Sequence, residues 1–244
     1  MRLDVYLHEN GLCTSRTEAK VFIVGGAVTV DCKIITKPSY EVYGYEAIEV
    51  DRSYKKYVSR GGTKLEGALL SFKLNPEGRI CIDVGASSGG FTDCLLQNGA
   101  KHVIAVDSGK DQIAEVLRFD ERVTVVENFN ARYMSREDFP YEPSFAVMDV
   151  SFISATYIIP ALAKVLAPVA DFVCLIKPQF EVGRAGLGKG GIVKDARLHR
   201  EACKRVKECA VEYGFALEGL IQSPILGGDG NTEFLAYFKR RENE

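Results

Sequence analysis

The sequence predicts an α/β chain: a seven-stranded, doubly wound sheet with an antiparallel last strand, preceded by a small α+β unit. Three observations carry this. From residue 80 onward, short apolar runs of strand length alternate with stretches of helical periodicity, as in a parallel sheet covered on both faces. The last two runs are joined by Ser223 to Thr232, a loop without a helix, so they should pair as an antiparallel hairpin at one edge. Ile82-Asp83-Val84-Gly85-Ala86-Ser87-Ser88-Gly89-Gly90-Phe91 reads as a buried strand, a glycine-rich turn and a helix start. That arrangement brings backbone N–H groups to a ligand at the carboxyl edge of such a sheet.

The elements follow in order. Residues 1–50 form a unit of their own. Arg2 to Asn10 carries Leu3, Tyr6 and Leu7 on one helical face, and a second helix opens with the capping box Ser15-Arg16-Thr17-Glu18 and closes at Gly25-Gly26. Val28 to Val30, Lys33 to Ile35 and Ala47 to Val50 read as short strands. Residues 51–62 are a basic linker in which Arg52, Lys55, Lys56 and Arg60 interleave with Tyr54 and Tyr57, and Gly61-Gly62 reads as a hinge. Basic residues with aromatics between them suit a phosphate backbone and stacked bases. The sheet domain spans 63–244. Its first helix runs from Thr63 to about Leu74, and its strands are Ile80 to Val84, Val103 to Asp107, Val123 to Glu127, Phe145 to Val150, Phe172 to Lys177, Leu217 to Gln222 and Phe234 to Phe238. Helices are expected over Gly89 to Asn98, Gln112 to Phe119, Ser154 to Leu166 and Leu198 to Tyr213.

Composition narrows the function classes. A net charge of -2 gives no global nucleic-acid signal, so any such surface must come from local clustering. Seven cysteines without C-x-x-C spacing and three scattered histidines predict reduced, cytoplasmic thiols and no metal site. The most apolar stretch, Ile158 to Ala170, is broken by Pro160, Lys164 and Pro168, so no membrane span is expected.

The glycine turn selects a ligand. Ala86-Ser87 after Gly85 breaks the G-x-G-x-x-G dinucleotide fingerprint. Asp83, two residues earlier, would repel a pyrophosphate but suits a cation with an amino acid moiety, such as S-adenosylmethionine. Asp107, at the end of the next strand, stands where an acid can hold a ribose diol. The expected cofactor residues are therefore Asp83, Gly85, Ala86, Ser87, Gly89, Gly90, Phe91, Asp107 and Asp149. Three further charges stand at one sheet edge: Asp149 after the fourth strand, Lys177 after the fifth and Glu233 before the seventh. With Lys64 they make a set of two cations and two anions beside the turn. Gly183 to Lys189 has the spacing of a phosphate-binding loop, but Gly190 stands where Ser or Thr must bind magnesium. A mobile basic lid over RNA, with Arg184 and Lys189, is the better reading.

At these residues the chain resembles known families. Arg2-Leu3-Asp4, Ser15-Arg16-x-x-Ala19, Ile23-x-x-Gly26-x-Val28-x-Val30 and Lys37-Pro38-Ser39 resemble the S4 RNA-binding domain, which would place Arg2, Arg16 and Lys20 on an RNA face. Asp31-Cys32 departs from the usual Asn-Gly turn. The glycine turn, Asp149, Lys177-Pro178-Gln179 and Glu233 resemble the FtsJ-like ribose 2′-O-methyltransferases, with a class I (Rossmann-like) methyltransferase fold. With Tyr57-Val58-Ser59-Arg60-Gly61-Gly62 and Gly188-Lys189-Gly190-Gly191-Ile192-Val193, the whole chain resembles the TlyA family, also called hemolysin A. The resemblance implies a Lys64–Asp149–Lys177–Glu233 catalytic tetrad and S-adenosylmethionine as cofactor. It further implies ribosomal RNA or ribosomal subunits as partner, with methylation at a cytidine ribose. Lys177 would be the base, or would only steer the hydroxyl. A monomer or weak dimer is expected. The rival readings are a non-catalytic RNA-binding assembly factor and a membrane-active hemolysin.

Overall fold

The computed structural model describes residues 1–51, 56–183 and 186–240, which divide into two compact units, Met1–Lys56 and Tyr57–Glu244. In the first, helices α1 (Leu3–Glu9) and α2 (Arg16–Val24) accompany a three-stranded antiparallel sheet of order β2-β1-β3, with β1 at Val28–Val30, β2 at Lys33–Ile34 and β3 at Ile48–Val50. Ser15 caps α2 by accepting from the Glu18 N–H at 3.1 Å, and the Glu18 carboxylate reaches back to the Thr14 N–H and hydroxyl. Leu3, Leu7, Ala19, Phe22, Ile23, Val28 and Val30 fill the core between helices and sheet. Asp31 and Cys32 both adopt positive φ (49° and 62°), the backbone that Asn-Gly takes with less strain.

The second unit is the seven-stranded sheet. Its strands are β4 (Ile80–Val84), β5 (His102–Val106), β6 (Val123–Val126), β7 (Phe145–Met148), β8 (Ala170–Ile176), β9 (Ala216–Gln222) and β10 (Phe234–Arg240), in the order β6-β5-β4-β7-β8-β10-β9. All neighbouring pairs are parallel except those of β10, which runs antiparallel to both β8 and β9. The hairpin thus lies at one edge, with β10 inside it and β9 outermost. The chain leaves β4 towards β5 and β6, then returns to β4's other side with β7. This is the switch point at which doubly wound sheets open a crevice.

Helices cover both faces: α3 (Gly61–Phe72), α4 (Gly90–Gln97), α5 (Glu115–Arg118), α6 (Ile159–Val165), α7 (Pro178–Glu181) and α8 (Ala196–Glu212). Side chains alternate across β4: Ile82 and Val84 join the core beneath α6 and α8, and Cys81 the one beneath α3 and α4.

Several boundaries differ from expectation. The anticipated hinge Gly61-Gly62 is the first turn of α3, and Gly62 is small because the buried Tyr57 ring packs there; a Cβ would lie 2.2 Å from Tyr57 Cγ. The helix expected over Gln112 to Phe119 shrinks to α5 because the N–H groups of Gln112 and Ile113 bind the Glu127 carboxylate instead. The segment from Ser154 starts as a 3-10 turn before Pro160 permits α6.

Candidate active site

The crevice at the carboxyl ends of β4 and β7 holds a cavity of ≈ 250 Å³. One wall is the turn after β4, with Gly85, Ala86, Ser87, Ser88, Gly90 and Phe91. Gly85 has φ +84°, and a Cβ there would lie 2.6 Å from the Asp149 carbonyl oxygen, so β4 and the end of β7 approach as closely as a bare backbone allows. Gly89, also at positive φ, caps α4 and is backed by Leu117 rather than facing the cavity. The facing wall carries Asp149, Ser151 and Lys177, and the floor Lys64. Ser59, Arg60 and Gly61 lead into α3, and Leu226 and Gly228 come from the β9–β10 loop, which Arg60 clasps by donating to the Leu226 carbonyl at 2.9 Å.

The four expected charges meet as two pairs. Lys177 Nζ lies 2.5 Å from Asp149 Oδ1 and donates to the Ser151 hydroxyl at 2.7 Å. Lys64 Nζ donates to Glu233 Oε2 at 2.6 Å, with only 10% and 3% of the two side chains exposed. The pairing of β10 with β8 explains the convergence. Phe234 stands opposite Ile176, so Glu233 precedes β10 where Lys177 follows β8. Lys64, two residues past the basic linker, is buried.

Two of the residues expected to hold the cofactor make hydrogen bonds within the protein. Asp83 is wholly buried in β4, faces the α4 side and accepts from the Thr92 hydroxyl at 2.7 Å; it does not line the cavity. Asp107 also stands off the cavity wall. Its carboxylate accepts from the Ser87 N–H at 2.8 Å and the Gly109 N–H at 2.7 Å, which fixes the turn from behind. Both acids shape the glycine turn.

Burial pushes the Asp83 carboxyl up to about 7, the Thr92 hydrogen bond opposes this, and the nearby Asp149 charge adds to it. Between the ordinary value of 3.8 and about 7 the folded chain binds a proton that the unfolded chain lacks, so stability falls as pH rises through that window. Asp83→Asn, which still accepts from Thr92, is expected to gain on the parent between pH 4 and pH 8 by up to about 4 kcal/mol, from roughly 3 units at ~1.4 kcal/mol each. Urea midpoints at the two pH values check this; an unchanged gap would refute it.

Three residues were not singled out by the sequence reading. Ser151 holds Lys177, and its signal is a hydroxyl two residues past the strand-end acid Asp149. Phe152, 93% exposed at φ +64°, tilts against Phe180 at 5.3 Å beside the cavity mouth. Glu127, one residue past β6, accepts from the N–H groups of Asp111, Gln112 and Ile113 and is bound by Arg118 through both oxygens. The Arg118 guanidinium foremost holds its carboxyl down to about 2.

The basic residues expected to meet RNA are spread. Arg2 and Arg16 both bind the fully buried Asp4 carboxylate, at 2.8 and 3.2 Å, leaving each guanidinium about half exposed. Lys20, Lys56 and Lys189 are exposed. Lys55 and Arg184 lie outside the described residues. The segment expected to be a mobile lid is tied down at its far end, where Asn231 accepts from the Val193 N–H at 2.9 Å and donates to the Gly191 carbonyl at 3.2 Å.

Comparison with known proteins agrees with this geometry. The profile of the FtsJ-like methyltransferases matches residues 57–240, and that of the S4 domain residues 1–43. The chain is 41% identical to the 16S/23S rRNA (cytidine-2′-O)-methyltransferase TlyA of Mycobacterium tuberculosis over 98% of its own length and 89% of the relative's. It is 44% identical to Hemolysin A of Brachyspira hyodysenteriae over 98% and 99% of the two chains. A solved Streptococcus thermophilus chain named as a hemolysin superposes with a TM-score of 0.78 at 45% identity, covering 100% of this chain and 89% of that one. An S-adenosylmethionine dependent methyltransferase of Mesorhizobium loti shares the fold at 16% identity and TM-score 0.53, over 71% of this chain and 96% of that one. Among the described residues no helix is long and apolar enough to cross a membrane, and no group of His, Cys, Asp and Glu could hold a metal ion.

Proposed function

The chain belongs to the FtsJ-like methyltransferase family, and on that footing we propose that it transfers a methyl group from S-adenosylmethionine to the ribose 2′-hydroxyl of a cytidine in ribosomal RNA. The observation that carries this is Lys177, held between Asp149 and Ser151 at the wall of the cavity that the Gly85 turn opens.

The cavity suits the cofactor. At Gly85 and Gly90 the backbone takes the place of side chains, and the adjacent Asp149 supplies a carboxylate to a cationic ligand. Gly85, Ala86, Ser87, Gly90, Phe91 and Asp149 would hold it, with Asp83, Gly89 and Asp107 keeping the turn in shape. When bound, S-adenosylmethionine supplies an electrophilic methyl group on a sulfonium leaving group.

The protein must then align the acceptor and handle one proton. Lys177 orients the ribose hydroxyl, or accepts its proton at Nζ. Asp149 and Ser151 fix that Nζ, while Lys64, itself fixed by Glu233, places a positive charge at the floor beside the forming oxyanion. The S4 unit, with Arg2, Arg16 and Lys20, grips structured RNA, and Lys55, Lys56, Arg60, Arg184 and Lys189 extend the contact. We take the protein to be a monomer or weak dimer, and a ribosomal RNA substrate supports a cytoplasmic location.

The test is incubation of the purified protein with methyl-labelled S-adenosylmethionine and 16S and 23S rRNA transcribed in vitro, followed by nucleoside analysis. Label in 2′-O-methylcytidine is expected. RNA binding without incorporation, or label on a base, would overturn the proposal.

A further inference from the structure

A second feature of the N-terminal unit lies outside the transfer chemistry. Tyr43 and Tyr45 are 72% and 82% exposed, yet their rings lie nearly parallel, 5.9 Å apart with 11° between planes. The loop that carries them is built to stay in place. The Glu46 carboxylate accepts from the Tyr43 N–H through both oxygens, at 2.9 and 3.0 Å, and from the Gly44 N–H at 2.9 Å. Gly44 has φ +93° and packs towards the Tyr6 ring. The loop's start is zipped to the N-terminus: Leu3 N–H donates to Tyr40, Val42 N–H to Met1, and the Met1 ammonium to the Val42 carbonyl at 2.7 Å. Arg2 pairs with Glu41 in the same bridge.

This places two parallel aromatic rings next in the chain to the terminal ammonium's bond with Val42 and to the Arg2–Glu41 bridge, in the unit where Asp4 holds the Arg2 and Arg16 guanidiniums. We propose that Tyr43 and Tyr45 form a platform on which an unpaired RNA base stacks while a flanking phosphate meets Arg2 and Arg16. The inference rests on the RNA-modifying function proposed above and adds a binding site to it. Stacking accepts any base because every base has a π face, and a platform ordered beforehand spares the entropy of arranging it.

The full chain and its Tyr43→Ala, Tyr45→Ala, double Ala and double Phe variants are to be titrated with protein-free 16S and 23S rRNA at several salt concentrations. Each single Ala change is expected to weaken binding about tenfold and the double by up to roughly a hundredfold, with the double Phe variant at the parent level. The slope of log K against log salt should stay unchanged, because stacking releases no counterions, whereas Arg2→Ala should lower it by about one. S-adenosylmethionine binding and turnover at saturating RNA should not move.

Parent-like binding by the double Ala variant would overturn the proposal. So would a change of salt slope like that of Arg2→Ala, or weakened binding to intact subunits with normal binding to protein-free RNA, which would mark a protein contact. Ultraviolet cross-linking of the unaltered chain to 4-thiouridine RNA needs no variant, and should join a base to Tyr43 or Tyr45; cross-links only elsewhere count against the platform. If the parent neither binds nor methylates RNA, the transferase reading falls first. If it does both and the double Ala variant binds equally well, the platform alone falls.

Discussion

Lys177→Met is expected to lower methyl transfer by about 10²–10⁴-fold, the usual contribution of a positioned acid or base. The methionine keeps the length of the side chain but removes the charge and the hydrogen bond to Ser151. The Gly85 turn is held from behind by Asp107 and Val106, so S-adenosylmethionine should bind as before. Single-turnover kinetics with equilibrium dialysis of the cofactor separate the two effects. Near-parent turnover with intact cofactor binding would remove Lys177 from the reaction. Lys177→Arg distinguishes the two roles open to the lysine. A guanidinium keeps the charge and can steer a hydroxyl, but it does not give up its proton in a protein. Recovery of rate with arginine would mean orientation alone; continued loss is expected if Nζ takes the proton.

Glu233→Ala should cost about 3 kcal/mol of stability, because it leaves the largely buried Lys64 ammonium at the cavity wall without its counter-charge. Glu233 is 2% and Lys64 8% exposed, so the pair is little screened by solvent. Replacing both partners with apolar residues of similar size, Lys64→Met with Glu233→Leu, should restore most of that stability, since a buried pair is often no more stabilising than a packed apolar one. Transfer should remain lost. Urea unfolding together with the methyl-transfer rate measures both arms. An active double variant would assign the pair a structural role only.

Much of this site could be read from residue order, and the failures have definite physical causes. Strand ends are legible because an apolar run that stops at a charge marks the sheet edge; Asp149, Lys177 and Glu233 were found this way, and the edge they share follows from the antiparallel run of β10. The burial of Asp83 is not legible, because its neighbours suggest a strand leading into a binding turn, while the pleat sends its side chain under α4 towards Thr92. The hinge at Gly61-Gly62 misled for another reason. Glycine pairs mark flexible joints in composition, but here their smallness admits Tyr57, a long-range contact that no local pattern announces. Ser151 and Glu127 act through partners 26 and 9 to 16 residues away, so only the fold reveals their hydrogen bonds.

The interior place of β10 also sets when the enzyme can exist. Glu233 meets Lys64 across 169 residues of chain, and β10 must pair with β8 on one side and β9 on the other. Contacts of such separation close late in folding, because the entropy of the long loop is lost before they reward it. A nascent chain ending before Glu233 would carry the glycine turn, Asp149 and Lys177, but with the β8 edge open and Lys64 without its counter-charge. The helices of its S4 unit would by then be complete. Synthesis therefore yields a chain with the S4 unit made first and the charged cluster closed by β10.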